Sequence, residues 1–261
     1  DTLKHPALEC LFTVDEETGL TGAFRLQDGC LQGKQLINLD SEDDGQVFIG
    51  CAGGIDTLAK MHYEPVPSVE GEAKKQLYSL RIKVSGLMGG HSGDDINKGR
   101  GNANKILVRF LYQVMKAMDM HVAQLDGGNL RNAIAREAEA VITIPMAKKE
   151  DIRIMLNHYI ATIEAEIGDV EKDFTMSLET TDSPDFYIPQ EDAERLLQAL
   201  YACPHGMTAM SKTMPGLVET STNLASVKMR EDEKGAYVEI NTSQRSSIES
   251  KKHDIKQMVE C

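Results

Sequence analysis

A glycine-rich turn set between an alternating strand and a long amphipathic helix most limits how this chain can fold. Leu77-Tyr78-Ser79-Leu80-Arg81-Ile82-Lys83-Val84 alternates apolar with polar side chains over most of its length, as a strand with one buried face does. Gly86-Leu87-Met88-Gly89-Gly90-His91-Ser92-Gly93 follows. Beyond it Ala103, Ile106, Leu107, Phe110, Leu111, Val114 and Met118 recur at helical spacing, which predicts a helix of about 17 residues with one apolar stripe. A one-sided sheet next to a one-sided helix implies an α+β layer.

The same grammar continues to the last residue. Residues 121–125 and 138–144 read as strands, and 152–167 as a helix with Ile152, Met155, Leu156, Tyr159, Ile160 and Ile163 on one face. Residues 174–178 read as a strand, 193–203 as a helix, 218–229 and 235–242 as strands, and 250–260 as a helix. This order describes two tandem strand-helix-strand-strand-helix units, with Gly127-Gly128 before Asn132 and Gly216 before Asn223 as equivalent turns.

The first part of the chain reads differently. Short apolar runs at 8–14, 36–39 and 47–49 alternate with glycine-containing turns, as strands of an α/β sheet do. Met61-His62-Tyr63-Glu64-Pro65-Val66-Pro67 favours extended chain and reads as a crossing between units. The expected organisation is an α/β domain at residues 1–76 followed by an α+β domain at 77–261, in keeping with a length of 261 residues.

Net charge is −13 and no Lys/Arg cluster exceeds a pair such as Lys251-Lys252, so no nucleic-acid partner is expected. No run approaches 18 apolar residues, and no membrane partner is expected. The five cysteines are widely spaced and never form Cys-x-x-Cys, which disfavours a disulfide scaffold or zinc knuckle and suits a cytoplasmic setting. Cys51 has no nearby base and reads as close packing; the thirteen methionines form no stripe and read as gap fillers.

Two apolar runs of the first part end on carboxylates. Val14 leads into Asp15-Glu16-Glu17-Thr18-Gly19, and Leu36-Ile37-Asn38-Leu39 leads into Asp40. Ligands of α/β folds gather at the carboxyl ends of strands, so Glu16, Glu17 and Asp40 are expected to converge, an arrangement suited to divalent metals. In an extended segment Glu16 and Glu17 point to opposite faces, and Gly19 supplies freedom to turn. Asp-Glu-Glu alone is more often a solvated turn and Asp40 alone a cap; Glu42, Asp43 and Asp44 read as a solvated acidic turn.

These segments resemble the metal-site motifs of the di-zinc metallopeptidases that include aminoacylases, carnosinases and bacterial dipeptidases. Gly50-Cys51-Ala52-Gly53-Gly54-Ile55-Asp56, Gly89-Gly90-His91-Ser92-Gly93, Gly101-Asn102-Ala103-Asn104-Lys105 and Gly127-Gly128-Asn129-Leu130-Arg131-Asn132-Ala133-Ile134 look most like the Xaa-His dipeptidase branch. The resemblance covers nearly the whole chain and thins between about residues 169 and 214.

It implies a lid closing over a catalytic domain with two zinc ions, cobalt or manganese being other candidates. It makes Glu17 and Asp40 metal ligands and Glu16 the general base. His91 becomes the lid residue that polarises the scissile carbonyl, and Asn132 and Arg245 the residues that hold the free carboxylate of a dipeptide substrate. A planar guanidinium suits a carboxylate, although Arg245 reads equally as a surface strand residue and Asn132 also as a turn residue. The family commonly has Pro where this chain has Ala135. Its His-x-Asp ligand pair, bridging Asp and final His ligand have no counterpart here, so the chain reads as the middle piece of a longer enzyme, inactive alone. A related deacylase and a non-catalytic dimerisation module are the alternatives, and a homodimer is a candidate assembly. Residues 77–261 are expected to bury their own core, residues 1–76 to be the fragile part, and His91, Asn132 and Arg245 to lie at a rim.

Overall fold

The computed structural model describes residues 4–261 apart from 17–19, 40–44, 46 and 48. The chain forms two compact units, residues 1–49 and 50–261.

The first unit departs from the expected α/β sheet. Among its described residues there is no strand; its regular element is a helical turn, α1 (Thr21–Phe24). Around that turn Asp15 and Leu20 take left-handed backbone angles, the Thr21 hydroxyl donates to Asp15 Oδ2 at 2.8 Å, and Gly22 N donates to Val14 O at 3.1 Å. The Glu9 carboxylate accepts from the backbone of Gln32 and Gly33. The apolar runs read as strands stay in solvent: Phe12 is 90% exposed and Leu39 88%. A strand is stabilised by neighbours and by a layer that covers it, and among the described residues these runs have neither.

The second unit is a sheet with helices on one face. Its strands are β1 (Gly53–His62), β3 (Leu77–Ser85), β5 (His121–Gly127), β7 (Ala138–Pro145), β8 (Thr175–Thr180), β10 (Gly206–Met210), β11 (Val218–Asp232) and β12 (Gly235–Ser246). They form one antiparallel sheet in the order β1-β12-β11-β5-β7-β3-β8, with β10 also on β11. Two short ladders join β2 (Val66–Pro67) to β9 (Phe186–Tyr187) and β4 (Gly90–His91) to β6 (Ala133–Ile134). The helices are α2 (Ala103–Ala117), α3 (Lys149–Ile167), α4 (Gln190–Ala202) and α5 (Glu249–Glu260).

Periodicity accounts for which face is covered. Leu107, Phe110, Leu111 and Val114 of α2 are buried in one cluster with Leu80, Ile82 and Val84 of β3 and Ile142 and Ile144 of β7. Each such side chain contributes about 1.5–3 kcal/mol by leaving water. Asn102 caps α2, its side chain accepting from Lys105 N at 3.2 Å. The alternate β3 residues point to the other face, where Arg81 pairs with Glu139 at 2.6 Å and Ser79 bonds Thr143 at 2.8 Å.

The result is a mixed fold with a mostly antiparallel sheet, in which β4, β6, β9 and β10 interrupt the order of elements expected from residue 77 onward. Strand β1 was not anticipated: residues 53–62 pair along their whole length with β12, on the N-terminal side of the boundary expected at 76/77.

Candidate functional site

The open face of the sheet carries two loops. Residues 89–95 and 128–135 are tied together by the β4–β6 ladder, where Gly90 opposes Ile134 and His91 opposes Ala133. Ser92 N donates to Asn132 O at 2.8 Å. The second loop is held down by Asn223 of β11, whose Nδ2 donates to Ala133 O at 2.8 Å, and by Arg131, which pairs with Asp56 of β1 at 3.0 Å. Lys228 of β11 adds bonds to Asp126 and Asn129.

Arg245 reaches this region because of its register. On β12 its neighbour Gln244 faces the helices, fully buried, bonding Thr242 at 2.7 Å and Thr57 at 2.9 Å. Successive strand residues point to opposite faces, so satisfying Gln244 sends Arg245 to the open side. There it meets the His91 loop. A Cβ built on Gly93 would lie 3.0 Å from His91 Cε1 and 3.1 Å from an Arg245 Nη nitrogen, so both groups border one small gap that a glycine leaves empty.

The His91 side chain is 40% exposed. Its Nδ1 lies 3.3 Å from the Asp94 backbone N–H and 3.1 Å from Asp94 Oδ2. In the neutral tautomer that accepts from that N–H at Nδ1, the ring proton sits on Nε2, a donor of the kind needed to polarise a carbonyl. Asn132 is half-buried, and its backbone is fixed by Ser92. Two buried polar atoms beside these loops, Ser92 Oγ and Asn223 Oδ1, make no hydrogen bond among the described residues.

Of the expected metal and base residues, Glu16 is exposed, while Glu17 and Asp40 lie outside the described residues. Among the described residues no three His, Cys, Asp or Glu side chains are grouped closely enough to hold a metal.

Residues 82–171, which include both loops, match the family model described as a peptidase dimerisation domain. Over 262 residues it is 37% identical to the cytosol non-specific dipeptidase of Escherichia coli K12, covering all of this chain and 52% of that protein. The crystal structure of aminoacylhistidine dipeptidase from Vibrio alginolyticus superposes with a TM-score of 0.80 at 35% identity, covering 95% of this chain and 49% of that one. The chain thus spans about half the length of the relatives it matches, and the family resemblance read from its motifs is borne out in sequence and in fold. Within the matched residues lie His91 and Asn132; Arg245 comes from outside them.

Sequence reasoning missed the groups that brace His91. Asp95 accepts from His91 N at 2.8 Å and pairs with Arg100 at 3.0 Å, which donates to Gly89 O at 2.6 Å. Lys98 and these contacts hold the Asp95 carboxyl below the usual range. Glu171 bonds two backbone N–H groups of the same loop. Helical periodicity registers none of them, because each acts from a turn.

Proposed function

We propose that the chain is part of a metal-dependent dipeptidase acting on Xaa-His dipeptides, in which residues 77–261 form the lid. The observation that carries this reading is the meeting of His91 and Arg245 at the Gly93 gap, a hydrogen-bond donor beside a guanidinium. A dipeptide has one scissile carbonyl and, a residue away, one carboxylate. His91 would donate to the carbonyl oxygen as negative charge develops, and Arg245 with Asn132 would take the carboxylate. A site that reads the free carboxylate next to the cleaved bond selects dipeptides over longer chains.

Zinc, when bound, would supply an activated water; Glu17 and Asp40 are the ligands proposed within this chain, and Glu16 the base that takes the water's proton. The order β3-α2-β5-β7-α3, then β8-α4-β11-β12-α5, supports a lid of two tandem units, with β1 from the proposed catalytic segment, residues 1–76, as its added edge. The matched domain's description supports a homodimer, and the name of the Escherichia coli relative supports a cytoplasmic protein. Among the described residues no helix is long and apolar enough to cross a membrane.

The test uses the full-length polypeptide that contains this chain, with zinc, on a panel of dipeptides and their C-terminal amides. His91→Ala should remove turnover. Arg245→Ala should raise KM for free dipeptides and leave the already poor amides unchanged. Full activity of His91→Ala, or equal use of acids and amides by the unsubstituted enzyme, would overturn the reading; preference for acylated amino acids would favour a deacylase.

A further inference from the structure

The His91 side chain is 40% exposed, and its Nδ1 meets the carboxylate and backbone N–H of Asp94, three residues along the same loop. The direction of the imidazole is therefore inherited from the backbone of residues 88–101. One carboxylate from another part of the fold holds both ends of that backbone. Glu171, in the turn between α3 and β8, is 2% exposed. Its Oε2 accepts from Met88 N at 2.7 Å and its Oε1 from Gly101 N at 2.8 Å. The two ends of the His91 loop are thus pinned to the two oxygens of one side chain, immediately before Asn102 caps α2.

We propose that Glu171 is a positioning residue for His91, clamping both ends of its loop so that the imidazole faces the Gly93 gap. Charged acceptors bond backbone N–H groups about twice as strongly as neutral ones, and burial strengthens both bonds. The loop's interior is built to transmit the clamp. Gly90 has φ +132°, and a Cβ there would collide with Asp95 and Arg100, so the two side chains press against the backbone one residue before His91. The carboxylate fixes the ends of the loop, Asp95 and Arg100 stiffen its centre, and the β4–β6 ladder sets its tilt.

This inference rests on His91 acting on substrate, and its experiment separates the two. In Glu171→Gln one oxygen becomes an NH2 group that faces a backbone donor, so one end of the loop is released. In the chain itself, the ring nitrogen resonances of His91 should shift and the amides of Met88 and Gly101 should exchange at least about 10-fold faster, while those of α2 stay as they were. In the full-length polypeptide, kcat should fall by about 100-fold with KM little changed, as for a displaced catalytic group. Unchanged His91 resonances overturn the clamp whatever the activity does. Shifted resonances with unchanged kcat, in an enzyme that His91→Ala inactivates, overturn the positioning role. Full activity of His91→Ala strikes the dipeptidase reading and leaves the clamp to stand on the resonances. Should Glu171→Gln not fold, exchange in the unsubstituted chain decides: Met88 and Gly101 must exchange at one common rate through a shared opening, and unrelated rates reject the clamp.

Discussion

His91, in the loop before α2, and Arg245, near the end of the last strand, border the same gap, and Gly93 is the residue that keeps it open. The two are far apart in sequence. They meet because the β4–β6 ladder folds one loop onto the open face while the buried Gln244 turns its neighbour outward.

Gly93→Ala tests the gap directly. The added methyl would press on His91 Cε1 and an Arg245 Nη nitrogen, both ends of flexible side chains, so the fold should survive with stability changed by no more than about 1 kcal/mol. Turnover by the full-length polypeptide should drop by about 100-fold, because both proposed substrate groups are displaced. Thermal denaturation and dipeptide kinetics check the two halves; undiminished kcat/KM would show that substrate does not use the gap.

His205 makes stability depend on pH. Its Nδ1 lies 3.3 Å from Leu224 N and 3.4 Å from Asn102 Nδ2, two donors that require a lone pair. Burial, with Lys105 adding repulsion, pushes its pKa from 6.5 down to about 4. Between these values the unfolded chain binds the proton and the folded one does not. The contribution is therefore full above pH 6.5 and lost as pH falls toward 4, on the order of 3 kcal/mol in all. Urea unfolding at pH 7 and pH 4.5 should show the loss, and His205→Gln should flatten the difference; an unaltered slope would refute this account.

Lys105 closes the end of α4. Its Nζ donates to the carbonyls of Leu200, Tyr201 and Cys203 at 2.7–3.0 Å, and burial lowers its pKa. Lys105→Met keeps the length and removes the donors, leaving helix-end carbonyls unpaired. A loss of about 2 kcal/mol is expected from the urea midpoint. No loss would mean that water replaces the ammonium without cost.

The two units should differ in protection. Amides of α2 lie in a helix packed on the core, whereas residues 8–14 expose Phe12 and Val14. Hydrogen exchange should be slowest in Ala103–Ala117 and fast in 8–14. The reverse order would contradict the division of the chain into a stable and a fragile part.

Much of the second unit was legible because its elements obey local periods. The stripe of Leu107, Phe110, Leu111 and Val114 and the alternation in β3 each bury one face, and each was read to within a few residues. Strand β1 was overlooked although Ile55, Thr57 and Met61 alternate with Asp56, Leu58 and His62; a glycine-rich approach and nearby prolines concealed it. The two-residue ladders and β10 carry too few residues for any period to show. In the first unit the apolar runs were taken for strands, but strand formation depends on pairing that those residues do not find among the described part of the chain.

The sequence by itself determined which residue types could do chemistry and which long periodic segments beyond residue 77 would be helix or strand, since side-chain identity and spacing are local properties. Only the tertiary structure decided what faces what. Gln244, bonded by Thr57, turns Arg245 to the open side, Gly93 leaves room between Arg245 and His91, and Glu171 joins Met88 to Gly101. Each of these depends on groups distant in sequence brought to within about 3 Å. Hydrogen bonds and close packing act only over that range, so no window along the chain could record them.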